Sequence, residues 1–177
     1  HLKSLRDAYG DRHEALAVRE AARYGAVLAS HDDTTADHVA TSAAHGIRLA
    51  EFPTTVEAAR ACREQGIAIM MGAPNIIRGG SHSGNVSALE LAGLDLLDVV
   101  SSDYVPAALM LSAFRLGAFW DDLPRAIRTV TAAPAAATGL TDRGELAEGR
   151  RADVVRVRPT DNFPVIRGSW SRGQRVA

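Results

Sequence analysis

Four times before Asp103 the chain runs a short apolar stretch into polar residues, and glycines separate these stretches from helix-like stripes on their N-terminal side. Ala15, Val18 and Ala22 recur at helical spacing between Asp11 and Tyr24, and Gly25 stops that helix before Ala26-Val27-Leu28-Ala29 runs into Ser30-His31-Asp32-Asp33. Ala36, Val39, Ala40 and Ala43 form the next stripe, closed by Gly46 ahead of Ile47-Arg48-Leu49-Ala50 and Glu51-Phe52-Pro53. Thr54 and Glu57 have capping-box spacing and open a helix to Gln65, stopped by Gly66 before Ile67-Ala68-Ile69-Met70-Met71. A fourth apolar run, Leu96-Leu97-Asp98-Val99-Val100, ends at Ser101-Ser102-Asp103. Short apolar runs about one βα unit apart predict buried parallel strands joined by helical crossovers.

Beyond Asp103 the pattern changes. Pro106 suits the first turn of a helix reaching Leu116, and Leu123, Ile127 and Val130 predict another before Pro134. Ala152 to Val157 and Phe163 to Ile166, separated by Pro159, Asp161 and Asn162, predict short strands of a β appendage. The mixed-charge stretch from Arg143 to Arg151 reads as a solvated turn leading into it. The expected fold is α/β, with residues 1–140 forming half of an eight-stranded barrel and 141–177 part of a small β-sandwich appendage.

Composition narrows the partners. Twenty basic residues against 21 acidic ones give a formal charge of -1, so nothing favours nucleic acid or an anionic membrane. No apolar run reaches the roughly 18–20 residues of a membrane span. The single cysteine, Cys62, makes no internal disulfide, suits a cytoplasmic protein and reads as a small core residue.

In parallel α/β folds ligands collect at the C-terminal strand ends, and here each such end is polar. His31 ends the first strand, Glu51 the second, Asn75 follows the third and Asp103 the fourth. Imidazole and carboxylate suit zinc and related divalent ions. Structural roles compete at each position. A lone His after a strand often satisfies a loop, Asp32 and Asp33 suit helix N-caps, Glu51 can form a salt bridge beside Pro53, and Asp103 can cap a helix at Pro106. The segment Gly72 to Asn85 reads as a long, polar, glycine-rich loop ahead of a helix near Val86. Its glycines let backbone N–H groups approach an anion, and Arg78, Ser81, His82 and Ser83 can donate to phosphoryl oxygens, although a flexible surface loop would look similar. His13, His38 and His45 lie on predicted helices without ligand spacing and read as surface or packing residues.

Taken in order, Ala29-Ser30-His31-Asp32-Asp33, Glu51-Phe52-Pro53, Gly72-Ala73-Pro74-Asn75, Ser81-His82-Ser83-Gly84-Asn85 and Ser102-Asp103-Tyr104-Val105-Pro106 resemble the amidohydrolase superfamily, and within it a diphosphate-releasing branch of phosphonate catabolism. Thr131 to Asp153 resembles the superfamily's passage from barrel to β-sandwich. The resemblance implies a metal-dependent hydrolase acting on a small phosphorylated sugar with one or two divalent ions, zinc the expected metal. His31 corresponds to the metal-binding histidine ending barrel strand five, and Asp103 to the aspartate ending strand eight, which also takes a proton from the attacking water. Glu51 stands where strand six usually supplies a second histidine, and it either binds metal or holds substrate. Asn75, Arg78, Ser81, His82, Ser83 and Asn85 are expected to bind substrate, with His82 also donating to the leaving oxygen.

The resemblance begins near Arg19, so the His-x-His pair of strand one and the bridging Lys or Glu have no counterpart here. The chain is therefore expected to be the C-terminal half of a barrel, associating with further copies of itself or with a missing N-terminal half. Hydrolysis of a C–N bond in a cyclic amide or amine, and a noncatalytic metal-binding or structural fragment, are the alternatives.

Overall fold

A computed structural model describes residues 2–81, 83–160 and 163–177. The chain opens with helix α1 (Leu2–Tyr24), then alternates strands and helices: β1 (Ala29–His31), α2 (Ala36–Ala44), β2 (Leu49–Glu51), α3 (Val56–Glu64) and β3 (Ala68–Gly72). Helices α4 (Ala73–Arg78) and α5 (Ala88–Gly93) precede β4 (Val99–Ser101), and α6 (Ala108–Trp120), α7 (Leu123–Arg128) and α8 (Ala132–Ala137) follow it. Strands β1 to β4 form one parallel sheet in chain order, with His31 level with Glu51, and Glu51 level with Met70. A doubly wound sheet reverses its strand order at a switch point. This sheet has no reversal, which is the order of successive barrel strands.

The helices form where the sequence supplies caps and stops. Thr35 caps α2 by accepting from the His38 N–H, and Thr55 caps α3 by accepting from the Ala58 N–H. The expected capping box thus moves one residue. Glu57 turns to the neighbouring helix, accepting from the Ala36 N–H at 3.1 Å. Gly46 and Gly66 follow these helices with φ of 76° and 67°, left-handed values that glycine adopts without strain. Val39, Ala58, Ala59 and Cys62 from α2 and α3 pack with Ile69 and Met71 of β3 and Val100 of β4 in one buried core. Burial and the nearby Asp33 carboxylate push the Cys62 thiol up to about 11, so it is a packing group without nucleophilic character near neutrality.

Several sequence expectations shift. The strands begin at residues 29, 49, 68 and 99, one to three residues later than the apolar runs, so His31 and Glu51 are the last residues of their strands. Strand β1 is not buried on both faces, because it lies at the sheet edge: Val27 beside it is 54% exposed. Helix α1 extends back to Leu2, and Ala15 and Ala22 of the expected stripe are exposed; Glu14 reaches His45 at 3.2 Å. The helix expected before Pro134 is α7, and Pro134 itself lies in the first turn of a further helix, α8, where its missing N–H costs nothing.

The C-terminal residues form a three-stranded antiparallel sheet of β5 (Val154–Arg158), β6 (Val165–Ser171) and β7 (Gln174–Arg175). A sandwich needs a second sheet. None packs against it among the described residues. The expected turn between α8 and β5 is irregular, held by Arg150 to Glu145 at 2.9 Å and Arg151 to Asp153 at 2.7 Å.

Candidate active site

A pocket of about 430 Å³ opens at the C-terminal ends of the parallel strands. Its wall includes His31, Asn75, Arg78, Ser81, Ser83, Asn85 and Asp103, so one cavity gathers residues expected separately after three of the four strands. Glu51 does not line it. That residue's backbone carbonyl instead accepts from the Asp32 N–H at 3.0 Å, which ties the end of β2 to the end of β1. The expected role of His82 lies outside the described residues, as do Asp161 and Asn162.

Sequence reasoning missed Asp32, Phe52 and Tyr104, which also form the wall. Asp32 is not a helix cap, because Thr35 takes that role. With φ of 61° it turns its carboxylate back onto His31, Oδ2 lying 3.0 Å from Nδ1. Phe52 directly follows β2 with φ of 56°, and its ring meets His31 edge-on, centroids 5.3 Å apart. Asp103 follows β4 at φ of 50°. Left-handed backbone costs an L-residue roughly 1–2 kcal/mol and is a true outlier for a bulky side chain. Three such residues at three strand ends around one cavity are the clustering that functional sites show.

Asp103 caps no helix either. A turn closed by the Val105 N–H on the Ser102 carbonyl intervenes, and α6 starts at Ala108 without any side-chain cap. Its carboxylate lies over the end of β3, where a Cβ added at Gly72 would meet Oδ2 at 3.0 Å and the Phe52 ring at 3.4 Å. The bare backbone of Gly72 makes room for both groups.

The expected glycine-rich loop is partly helical. Pro74 opens α4 and Gly79, with φ of 80°, closes it, which sets Arg78 in the last turn at the pocket wall. Arg78 is exposed and makes no ion pair with any described residue. Asn75 accepts through Oδ1 from the Ala88 N–H at 2.9 Å, so its carbonyl oxygen braces α5. Ser81 Oγ accepts from the Ser83 N–H at 3.1 Å.

Hydrogen bonds couple the loops. The Thr54 N–H donates to the Asp33 carbonyl at 2.9 Å, the Thr55 hydroxyl to the Thr34 carbonyl at 2.7 Å, and the Val86 N–H to the Thr54 carbonyl at 3.0 Å. Asp33 is buried, accepting from the Ser30 hydroxyl at 2.5 Å and the Ser42 hydroxyl at 3.4 Å. The loop after β1 is thereby held to the loop after β2, and that loop to the segment entering α5.

His31 and Asp103 offer an imidazole and a carboxylate to the same pocket, a donor pair suited to a divalent metal. No group of three metal-binding side chains assembles among the described residues.

No family model matches the chain. It is 54% identical over 155 residues to the α-D-ribose 1-methylphosphonate 5-triphosphate diphosphatase of Escherichia coli strain K12, a match covering 84% of this chain and 40% of that protein. The chain thus spans about 40% of the length of the curated relative it matches. Among solved structures it superposes on a prolidase complexed with N-methylphosphonate-L-proline, with a TM-score of 0.66 and 19% identity over 90% of this chain and 47% of that one. An amidohydrolase from Thermotoga maritima MSB8 gives a TM-score of 0.66 and 20% identity over 85% of this chain and 43% of that one. At such identities the likeness is one of fold. The chain is a sequence relative of the diphosphatase and has the fold of the amidohydrolases.

Proposed function

We propose that this chain is the C-terminal half of an amidohydrolase barrel, residues 1–140, with the C-terminal part of its β-sandwich appendage in 141–177. In this reading the intact protein releases diphosphate from α-D-ribose 1-methylphosphonate 5-triphosphate during cytoplasmic phosphonate breakdown. The observation that carries it is the 54% identity to a diphosphatase named for that substrate. The pocket chemistry agrees with it: Arg78, Ser81, Ser83 and Asn85 are donors suited to phosphoryl oxygens, in the same pocket as His31 and Asp103.

Asp103 takes the proton of the attacking water, whose oxygen bonds to the phosphorus nearest the ribose. The bridging P–O bond then breaks, diphosphate leaves with that oxygen, and ribose 1-methylphosphonate 5-phosphate remains. Arg78 and the serine hydroxyls offset charge on the departing oxygens. His82 serves as proton donor to the leaving group. His31 and Asp103, with further ligands, would hold a divalent ion, zinc in this reading and one or two in number, which would supply Lewis acidity toward water and phosphoryl oxygen. Glu51 ties the loops through its backbone carbonyl, and its side chain is the reading's candidate for holding metal or substrate in the intact protein. The open edge of β1 pairs with the remainder of the barrel or with a second copy.

Phosphorus NMR of the intact protein with zinc and the triphosphate tests the assignment. Equal yields of diphosphate and the 5-phosphate are expected, and undetectable diphosphate would sink it. A finer test uses Gly72→Ala. Gly72 has φ of -78°, which alanine adopts freely, so the fold should hold while the added methyl pushes on Asp103 and Phe52. Diphosphate release should fall by about tenfold or more. Activity unchanged at an unchanged melting temperature would mean that the Asp103 carboxylate does not need its observed place.

A further inference from the structure

Three hydrogen bonds converge on Asn75. Its backbone carbonyl accepts from the Gly79 N–H at 3.1 Å and the Gly80 N–H at 3.0 Å, and its side-chain Oδ1 accepts from the Ala88 N–H at 2.9 Å. One residue of α4 thus fastens both ends of the segment that carries Ser81, Ser83 and Asn85. Ala88 is the first residue of α5, where backbone N–H groups lack helical partners. Ser87 caps that helix by accepting from the Glu90 N–H, and Asn75 supplies the acceptor that Ala88 needs.

The bond to Ala88 settles which way the amide faces. A backbone N–H only donates, so the atom against it is the oxygen, and the planar amide carries its NH2 group on the other side. Nδ2 has no partner among the described residues and is not sealed from water, and Asn75 is half-buried in the pocket wall. Arg78 stands three residues later on the same helix. Two donors, one neutral and one charged, therefore share a helix face and line the same cavity.

Bracing α5 does not by itself explain an amide at this position. Aspartate would brace more strongly, because a carboxylate accepts a stronger hydrogen bond and is favoured at the positive end of a helix. In a pocket that receives phosphoryl oxygens, however, a carboxylate would repel them. Asparagine accepts on one side and donates on the other.

We propose that Asn75 is a substrate-binding residue whose Nδ2 donates to a phosphoryl oxygen of the polyphosphate, beside Arg78, while Oδ1 holds the segment from 79 to 88 in place around it. The inference deepens the reading of this pocket as a polyphosphate site and rests on it for the identity of the ligand.

Inorganic diphosphate is the probe, titrated calorimetrically into the intact protein as isolated. Asn75→Asp keeps an oxygen facing Ala88 and replaces the donor by an acceptor. Its melting temperature should equal or exceed that of wild type, while its affinity for diphosphate falls about 10- to 100-fold. An added charge also weakens anion binding from a distance, so the wild-type amide is read directly. In protein labelled with ¹⁵N-asparagine, the side-chain NH2 signals of Asn75, assigned by their loss in Asn75→Asp, should move downfield as diphosphate saturates the site.

A purely bracing role predicts an aspartate variant that binds diphosphate as wild type does, and an amide signal that ignores the ligand. Either result, or the absence of saturable diphosphate binding, overturns the proposal. Should Asn75→Asp fail to fold, the wild-type signal still decides, with assignment by Asn75→Ser. Diphosphate binding through Asn75 with no release of diphosphate from the sugar triphosphate would instead defeat the functional reading and leave this one standing.

Discussion

Asp103→Asn is expected to lower diphosphate release by about 10²- to 10⁴-fold, the range a positioned general base contributes. Asparagine is the informative replacement. It has nearly the same shape and tolerates the left-handed φ of 50°, so the turn after β4 should persist. What it loses is the ability to take a proton and the charge that would hold a cation. The loss should therefore appear in kcat, and added zinc should not restore it. A melting temperature within a few degrees of wild type would exclude unfolding as the cause. Activity within about threefold of wild type would remove Asp103 from the chemistry, since no base worth a factor of 10² could be deleted so cheaply.

The second large effect belongs to the scaffold. Ile69→Ala should cost about 2–5 kcal/mol, because Ile69 of β3 is fully buried and packs in the common core. Its backbone adds a reason for sensitivity. The Ile69 N–H donates to the Asp98 carboxylate at 2.8 Å and its carbonyl accepts from the Asp98 N–H at 3.0 Å, while Arg63 holds the same carboxylate at 3.0 Å. A cavity under this residue loosens the join between β3 and β4. Thermal denaturation should show a fall of roughly 5–15 °C, against a much smaller one for Ile69→Val. Equal melting temperatures for the alanine variant and wild type would contradict the packing described.

The repeat of apolar runs and glycine stops made the parallel sheet legible, because Gly46 and Gly66 mark helix ends by a conformation few other residues accept. Strand limits were less legible. Val27 is as apolar as a core residue, yet β1 is an edge strand, and its neighbour on that side decides burial. The helix at Ala73–Arg78 was hidden by the glycines around it, although Pro74 at its start was a usable signal.

At the site, residue type and position after a strand pointed to His31 and Asp103, and the cavity contains both. Sequence could not announce Asp32 or Phe52. A left-handed φ at phenylalanine comes from hydrogen bonds to residues of the adjacent strand, here Met70, so it is a tertiary result with no local signature. Asp33 was misread for a related reason: an aspartate before a helix suggests a cap, but the hydroxyls of Ser30 and Ser42 draw it inward.

The strand order has a further consequence. His31 sits on the first strand of the sheet and Asp103 follows the last, with β2 and β3 between them. In a flat sheet, three strand spacings would hold those backbones about 14 Å apart. The span across the cavity is therefore set by how strongly the sheet coils, and curvature becomes an adjustable dimension of the site. Packing changes on the helical side that tighten or relax the arc would retune the gap between imidazole and carboxylate without touching either, so distant core substitutions can act on the pocket as changes of calibre.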